Sequence, residues 1–369
     1  MIAARKVVIA VFLLLLIAPA LQMATGAIAI KPLDENRTRT PLPPLSQIAH
    51  PAHYVAELQA WFNDHYGLRD LLIRTKTQID YSVFDSSDRL HIGKDGWLFY
   101  RTVIDKEEPT NEALSDKDLD QGIATFTHLR DWLAPRGIHL IVQTEQLKDK
   151  FYPEYLPREA QFARTRHRFD EFRAKLAAVP GITYIDTTPG LMALKKERRI
   201  FNKTDFHWND PAAYIFAVNL VKTIATLEHR TTPNYIYPLH IIERPFSGGQ
   251  ATFMPLFHPP SETGLFVETQ WDDSQYPRDY KSKPFEWIGT PVHPDPATHL
   301  PATVVFGDSF FDSMVRSGVV WHFDKMSYAR LYTVQFADVL RAMPPDTKYL
   351  VVEFIEVSLP SWVLMKLPE

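Results

Sequence analysis

Cysteine is absent from the 369 residues. That removes disulfides, thiolate metal sites and cysteine nucleophiles together, and it is compatible with an exported protein that has a large core. A basic excess is missing too. Forty Lys and Arg stand against 44 Asp and Glu, a formal net charge of −4, so the chain carries no electrostatic footprint for nucleic acid. No internal repeat is visible, which argues against solenoid and propeller arrays. A phosphate loop is excluded as well: Gly93-Lys94-Asp95-Gly96 has the residue types, but the spacing is wrong and no Ser or Thr follows the lysine. Asp95-Gly96 reads instead as a turn into an aromatic strand. His240, His258 and His293 fall in loop segments without ligand spacing, so neither a metal nor another cofactor is expected.

One long apolar run is present, at the start. Arg5 and Lys6 precede Val7 to Leu21, interrupted only by Pro19. Alone, the run has the length of a signal-peptide core, with Ala18-Pro19-Ala20 as an imperfect small-residue cleavage site. Continued to Ala29, it is long enough for a tilted membrane anchor. In both cases the charge asymmetry leaves Arg5 and Lys6 in the cytoplasm and exports the chain beyond the run. The expected organisation is a signal anchor or signal peptide over 1–29, a linker over 30–53 and one α/β domain over 54–369. With 45% hydrophobic residues the exported part can bury a large core. The proline count of 29 is high, and connecting segments such as Pro41–Pro51 and Pro284–Pro301 read as extended linkers or loops.

Helical periodicity covers Tyr54–Thr75, with Leu58, Trp61, Phe62 and Tyr66 on one face. Ser115, with Asp118 three residues on, caps a helix that ends before Gly137. Arg158–Ala177 is helical with a charged outer face, and Asp210-Pro211 opens a helix that continues to Leu227. Ile138–Val142, Ile182–Ile185, Ala302–Phe306 and Tyr349–Phe354 are short apolar strand-like runs, and Phe311–Val315 opens a further helix. Strands alternating with helices argue for a mainly parallel, doubly wound sheet, with ligands at the carboxyl ends of its strands.

Two segments carry chemistry. Val304-Val305-Phe306-Gly307-Asp308-Ser309-Phe310 runs from a strand through a glycine turn to a serine at a helix start. Thr204-Asp205-Phe206-His207-Trp208 places a carboxylate and an imidazole two residues apart, just before the helix at Asp210. Ser309 as nucleophile, His207 as base and Asp205 as orienting acid fill the roles that activate a hydroxyl at neutral pH. A serine N-cap, a structural histidine and a two-ligand metal fragment are the competing readings of the same residues. Trp208, beside His207, is a candidate for lining the site.

These blocks resemble the SGNH-hydrolase-like proteins of bacterial exopolysaccharide acetylation, the AlgJ/AlgX alginate O-acetyltransferase group. That group's Asp-x-His…Ser pattern falls on Asp205, His207 and Ser309. Further blocks in the same order are Phe62-Asn63-Asp64-His65-Tyr66-Gly67-Leu68-Arg69, Gly96-Trp97-Leu98-Phe99-Tyr100 and Lys148…Tyr152-Pro153-Glu154-Tyr155-Leu156-Pro157. Two segments depart from the pattern: Glu145-Gln146-Leu147 lacks a proline-containing turn, and Gly248-Gly249-Gln250 replaces a more acidic glycine motif. The short tail after the last strand leaves no room for a carbohydrate-binding module, as in the AlgJ layout. The resemblance implies an SGNH-hydrolase-like fold and a periplasmic enzyme held at the inner membrane. It implies transfer of acetyl groups from a multipass membrane acyltransferase, through an acetyl-serine, to a polysaccharide such as alginate, beside other secretion proteins. It also makes Lys148 and Tyr152 candidate substrate-binding residues, with structural packing equally open. An esterase using the same three residues, and a non-catalytic polysaccharide-binding component, are the alternatives.

Overall fold

The computed structural model describes residues 2–33, 37–105, 111–165, 167–230, 240–268, 274–295, 297–365 and 367. Met1 of the expected leader and residues 34–36 of the expected linker lie outside the described residues. Two compact units share the chain: Met1–Asp88 with Ala251–Pro260, and Arg89–Gln250 with Ser261–Glu369. Residues 54–88, which the sequence reading joins to the α/β domain, belong to the first unit.

The first unit is helical. Its helix Ile2–Thr25 contains Pro19, and the stretch Arg5–Thr25 is long and apolar enough to cross a membrane. The single helix expected over Tyr54–Thr75 is two, Pro51–His65 and Arg69–Phe84. Gly67 explains the break. A Cβ there would overlap the Pro19 carbonyl and the Met23 amide, so the chain turns where only glycine fits. Helical position also buries two acids: Arg37 reaches Asp64 at 2.6 Å and Arg39 reaches Asp70 at 2.5 Å.

The second unit begins with a hairpin, β1 (Leu90–Ile92) against β2 (Leu98–Tyr100). Asp95 and Gly96 form its turn with φ of 55° and 78°. A second antiparallel pair is β5 (Ile241–Phe246) with β6 (Glu262–Val267). The central sheet holds β3 (His139–Glu145), β4 (Ile182–Ile185), β7 (Arg278–Asp279), β8 (Trp287–Gly289), β9 (Thr303–Gly307), β10 (Met326–Arg330) and β11 (Tyr349–Ile355), in the order β4-β3-β11-β9-β10-β8-β7. The first five in that order run parallel, and β8 and β7 close one edge antiparallel. The fold is α/β with a mainly parallel sheet flanked by helices, as expected.

Period-two alternation splits the core into two layers. Ile141, Val305 and Val351 face Phe216 and Leu220 of helix Asp210–Leu227. Leu140, Val142, Val304, Phe306, Leu350 and Val352 face Phe126, Phe172 and Trp362. Ser115 caps helix Asp116–Leu133 in a reciprocal capping box with Asp118, and Gly137 follows in the left-handed region at φ 68°. Arg158–Ala177 is a 3-10 turn and then helix Arg168–Ala177. The parallel register aligns Glu145 with Ile355 and brings Gly307 to the same carboxyl edge of the sheet.

Candidate active site

Ser309 stands where β9 ends and before the short helix Phe311–Arg316. The turn that carries it is pinned at three points. Asp308 Oδ1 accepts from the Phe310 amide and Oδ2 from the Ile355 amide, both at 2.8 Å. The Asp308 amide donates to Glu353 Oε2 at 2.8 Å, and the Tyr328 hydroxyl donates to the Asp308 carbonyl at 2.8 Å. Gly307 packs beneath the turn, where a Cβ would lie 2.5 Å from Glu353 Oε2 and displace that carboxyl. Neighbours on both sides are buried while Ser309 is exposed. Among the described residues no acceptor is paired with the Ser309 amide.

The second segment is a loop closed at its base. Phe201 and Trp208 form an isolated antiparallel bridge, and the Asn209 amide donates to the Ile200 carbonyl at 3.1 Å. Asn209 then caps helix Asp210–Leu227, its side chain accepting from the Ala212 amide at 3.1 Å. Within the loop, Asp205 Oδ1 receives the His207 amide at 2.8 Å and faces His207 Nδ1 at 2.7 Å. Across a separation of 102 residues, His207 Nε2 lies 2.8 Å from Ser309 Oγ. Asp205, His207 and Ser309 thus form one hydrogen-bonded series, with the imidazole in the middle.

Asp205 has a second support. The Gly249 amide donates to its Oδ2 at 2.7 Å. Gly248 approaches so closely that a Cβ would sit 2.5 Å from Asp205 Cβ and 2.6 Å from the Thr204 carbonyl. Burial pushes the Asp205 carboxyl up. The hydrogen bonds and charge of His207, with the Gly249 amide, outweigh it and hold the group well below the usual carboxylate range. A carboxylate on Nδ1 fixes the tautomer that leaves Nε2 free to take the Ser309 proton.

Beneath the serine turn lie three buried carboxyl groups, Asp308, Glu145 and Glu353. Burial first, and the Asp308 charge second, push Glu145 and Glu353 well above the usual carboxylate range. Burial likewise raises Asp308 against the amides of Phe310 and Ile355.

A cleft of about 380 Å³ opens on the series, lined among others by Asn202, Arg244, Phe246, Phe266 and Arg316. The Arg244 guanidinium lies over the Phe266 ring at 3.9 Å, and Arg316 pairs with Asp210 at 2.7 Å. Trp208 also borders the cleft but is 2% exposed, and its indole donates to the Phe310 carbonyl at 3.2 Å. It is a floor beneath His207, not a platform at the mouth. Lys148 and Tyr152 stay outside the cleft lining. Lys148 is buried behind the Asp205 loop, and the Tyr152 hydroxyl accepts from the Ile200 amide at 2.9 Å, its ring beside Trp97.

Sequence reasoning missed Asn202 and the β5–β6 arginine and phenylalanines. Asn202 is 5% exposed and, among the described residues, its side-chain oxygen has no hydrogen-bond partner; its one signal is its place three residues before Asp205. Burial along β5 follows no alternation and Pro245 interrupts it, so no strand pattern marks Arg244 or Phe246.

The fold is like that of SGNH-hydrolase-like proteins. Residues 90–265 match a family model described as SGNH hydrolase-like domain, acetyltransferase AlgX; this segment includes Asp205 and His207 and stops before Ser309. The resemblance to the AlgJ/AlgX group is borne out. Probable alginate O-acetylase AlgJ of Pseudomonas aeruginosa is 26% identical over 200 residues, covering 54% of this chain and 49% of that protein. Its counterpart in Pseudomonas fluorescens is 24% identical over 257 residues, 65% and 62% of the two chains. The chain therefore spans about half the length of the first of these relatives. In structure, the O-acetyltransferase domain of Pseudomonas putida AlgJ aligns with a TM-score of 0.51 at 19% identity, covering 76% of this chain and 94% of that one. Bacillus cereus PatB1 with a sulfonyl adduct gives 0.51 at 13%, covering 72% and 94%. At these identities the structural likeness shows the fold.

Proposed function

We propose that the chain is a serine-dependent O-acetyltransferase acting on a polysaccharide, with Ser309 as nucleophile, His207 as base and Asp205 as its orienting acid. The observation that carries this is the 2.8 Å approach of His207 Nε2 to Ser309 Oγ, with Asp205 on the other ring nitrogen. Ser309 Oγ attacks the acetyl carbonyl and its proton passes to Nε2. The Ser309 amide and the Asn202 carboxamide are the groups at hand for the resulting oxyanion. Collapse breaks the bond to the leaving group, which takes the proton from His207. A sugar hydroxyl then gives its proton to His207 and attacks the acetyl-serine, which returns Ser309 and forms the sugar ester. Water in place of the sugar would make the same site an esterase.

The relatives' names support alginate as acceptor. Arg244 and Arg316 in the cleft suit carboxylated sugars, and Phe246 and Phe266 offer faces for stacking. The apolar helix at the N-terminus supports an exported enzyme anchored in the inner membrane, supplied by a multipass membrane acyltransferase and working beside other secretion proteins. We further propose that residues 1–29 are a signal anchor or signal peptide and 30–53 the linker. The test is to give the full chain an activated acetyl ester with alginate, cello- and neutral oligosaccharides, and weigh protein and sugars by mass spectrometry. One acetyl on the wild type, none on Ser309→Ala, and acetylated sugar only with Ser309 intact are expected. Free acetate with every acceptor would make the enzyme an esterase; no acetyl turnover above background would favour a binding protein.

A further inference from the structure

Lys148 is 3% exposed, yet all its partners are neutral oxygens. Its Nζ donates to the Asp205 carbonyl at 2.7 Å, the Lys203 carbonyl at 3.1 Å and Gln250 Oε1 at 2.6 Å, with the Asn202 carbonyl at 3.5 Å. The rings of Phe99 and Trp97 lie 5.3 and 5.8 Å from the same nitrogen. An ammonium has three N–H donors, and three close acceptors meet them. Those acceptors belong to the two segments that hold Asp205: the 202–205 loop that carries it, and the 249–250 segment whose Gly249 amide donates to its Oδ2.

We infer that Lys148 is a positioning residue, whose ammonium ties the 202–205 loop to Gln250 and so fixes Asp205 against His207. This deepens the acetyl-serine reading and rests on it for its kinetic consequence. An uncompensated buried cation is costly, so a site that keeps one uses the charge to order carbonyl dipoles no neutral side chain would gather. Burial pushes the Lys148 ammonium down to about 7, against the raising charges of Asp205, Glu262 and Asp149. Once neutral, the amine has two N–H groups for three close acceptors, and one tie is lost.

The test uses the full chain in detergent, with thermal melts to confirm folding. The readout independent of catalysis is the downfield proton resonance of His207 Nδ1–H on Asp205. It should be present in wild type at pH 6, weaken above pH 7 and be missing in Lys148→Met at either pH. On an activated acetyl ester, Lys148→Met should lose about 10- to 100-fold in kcat with KM little changed, and Lys148→Arg should recover part of that loss. If Lys148→Met does not fold, Lys148→Gln is read in the same two ways. A wild-type resonance and kcat in a folded Lys148→Met protein would overturn the inference. Should Ser309→Ala turn over like wild type, it is the acetyl-serine reading that fails, and the His207 resonance still decides the role of Lys148.

Discussion

Ser309 is presented by its neighbours and met by His207 from 102 residues away. Asp308 spends both carboxylate oxygens on backbone amides, at Phe310 and Ile355, so it holds the turn, and on the proposed mechanism proton transfer falls to His207. Asp205 is placed to do the opposite, with one oxygen on the imidazole and one on the Gly249 amide. On the proposed mechanism, Asp205→Asn keeps the shape but offers the ring an amide, which favours the wrong tautomer. It should lower kcat for acetyl transfer by on the order of 10⁴-fold, as in serine proteases, with unchanged folding by circular dichroism. Activity that instead vanished with a chelator and returned with zinc would put Asp205 and His207 on a metal. These three residues were legible in the sequence because each lies in a distinctive local context: a two-residue spacing before a helix cap, and a glycine turn after an apolar strand. Lys148 entered only through the resemblance, as a candidate substrate-binding residue, and Asn202 not at all. Their contacts arise only when Lys148 meets the loop at 202–205 and Gln250, 54 to 102 positions further along the chain.

The parallel strands could be read because their apolar runs are buried on both faces: β9 and β11 are apolar for most of their length, and β3 carries Leu140, Ile141 and Val142 together. The helix starting at Asp210 was marked by Asp210 and Pro211 for the same local reason, while its Asn209 cap was not. Edge and cover elements escaped: β7 has two residues, β8 three, and β5 is mostly exposed, too little for periodicity to register. Both departures from the AlgJ/AlgX pattern fall against the site. Glu145 ends β3 among the buried carboxyls, and Gly248-Gly249-Gln250 brackets Asp205 and Lys148. Gly248 provides the sharpest check on this second segment. A methyl at 2.5 Å from Asp205 Cβ and 2.6 Å from the Thr204 carbonyl meets backbone and a short side chain, neither able to swing aside. Gly248→Ala should therefore cost about 1–3 kcal/mol in stability and shift Asp205 enough to reduce kcat. Chemical denaturation and acetyl-ester turnover measure the two effects. A variant as stable and as active as wild type would show that the segment does not press on Asp205.

The buried carboxyls tie the pH behaviour of the second unit's fold to the ground under Ser309. Glu145 is 1% exposed at the end of β3, beside Glu353 of β11 and Asp308 after β9, the three adjacent strands at the centre of the sheet. Its ordinary value is 4.5, and burial and Asp308 raise it well above that in the folded protein. From pH 4.5 upward an unfolded chain therefore gives up a proton that the folded chain keeps. Stability carried by the neutral carboxyl is complete below that pH and is lost as pH climbs toward the raised value. The loss cannot exceed about 1.4 kcal/mol per pH unit for one proton. Lys148 works the other way. Its lowered value means the folded state sheds a proton first, so it adds stability as pH rises from about 7 toward 10.5. A wild-type melting curve would blend the two. The difference between wild type and Glu145→Gln cancels the lysine, because glutamine keeps the shape and cannot ionise. That difference in melting temperature should be smallest near pH 4.5 and grow in favour of Glu145→Gln with each unit toward pH 8. Parallel curves across this range would mean that Glu145 gains and loses its proton alike in both states, and that it is not held neutral by the core around it.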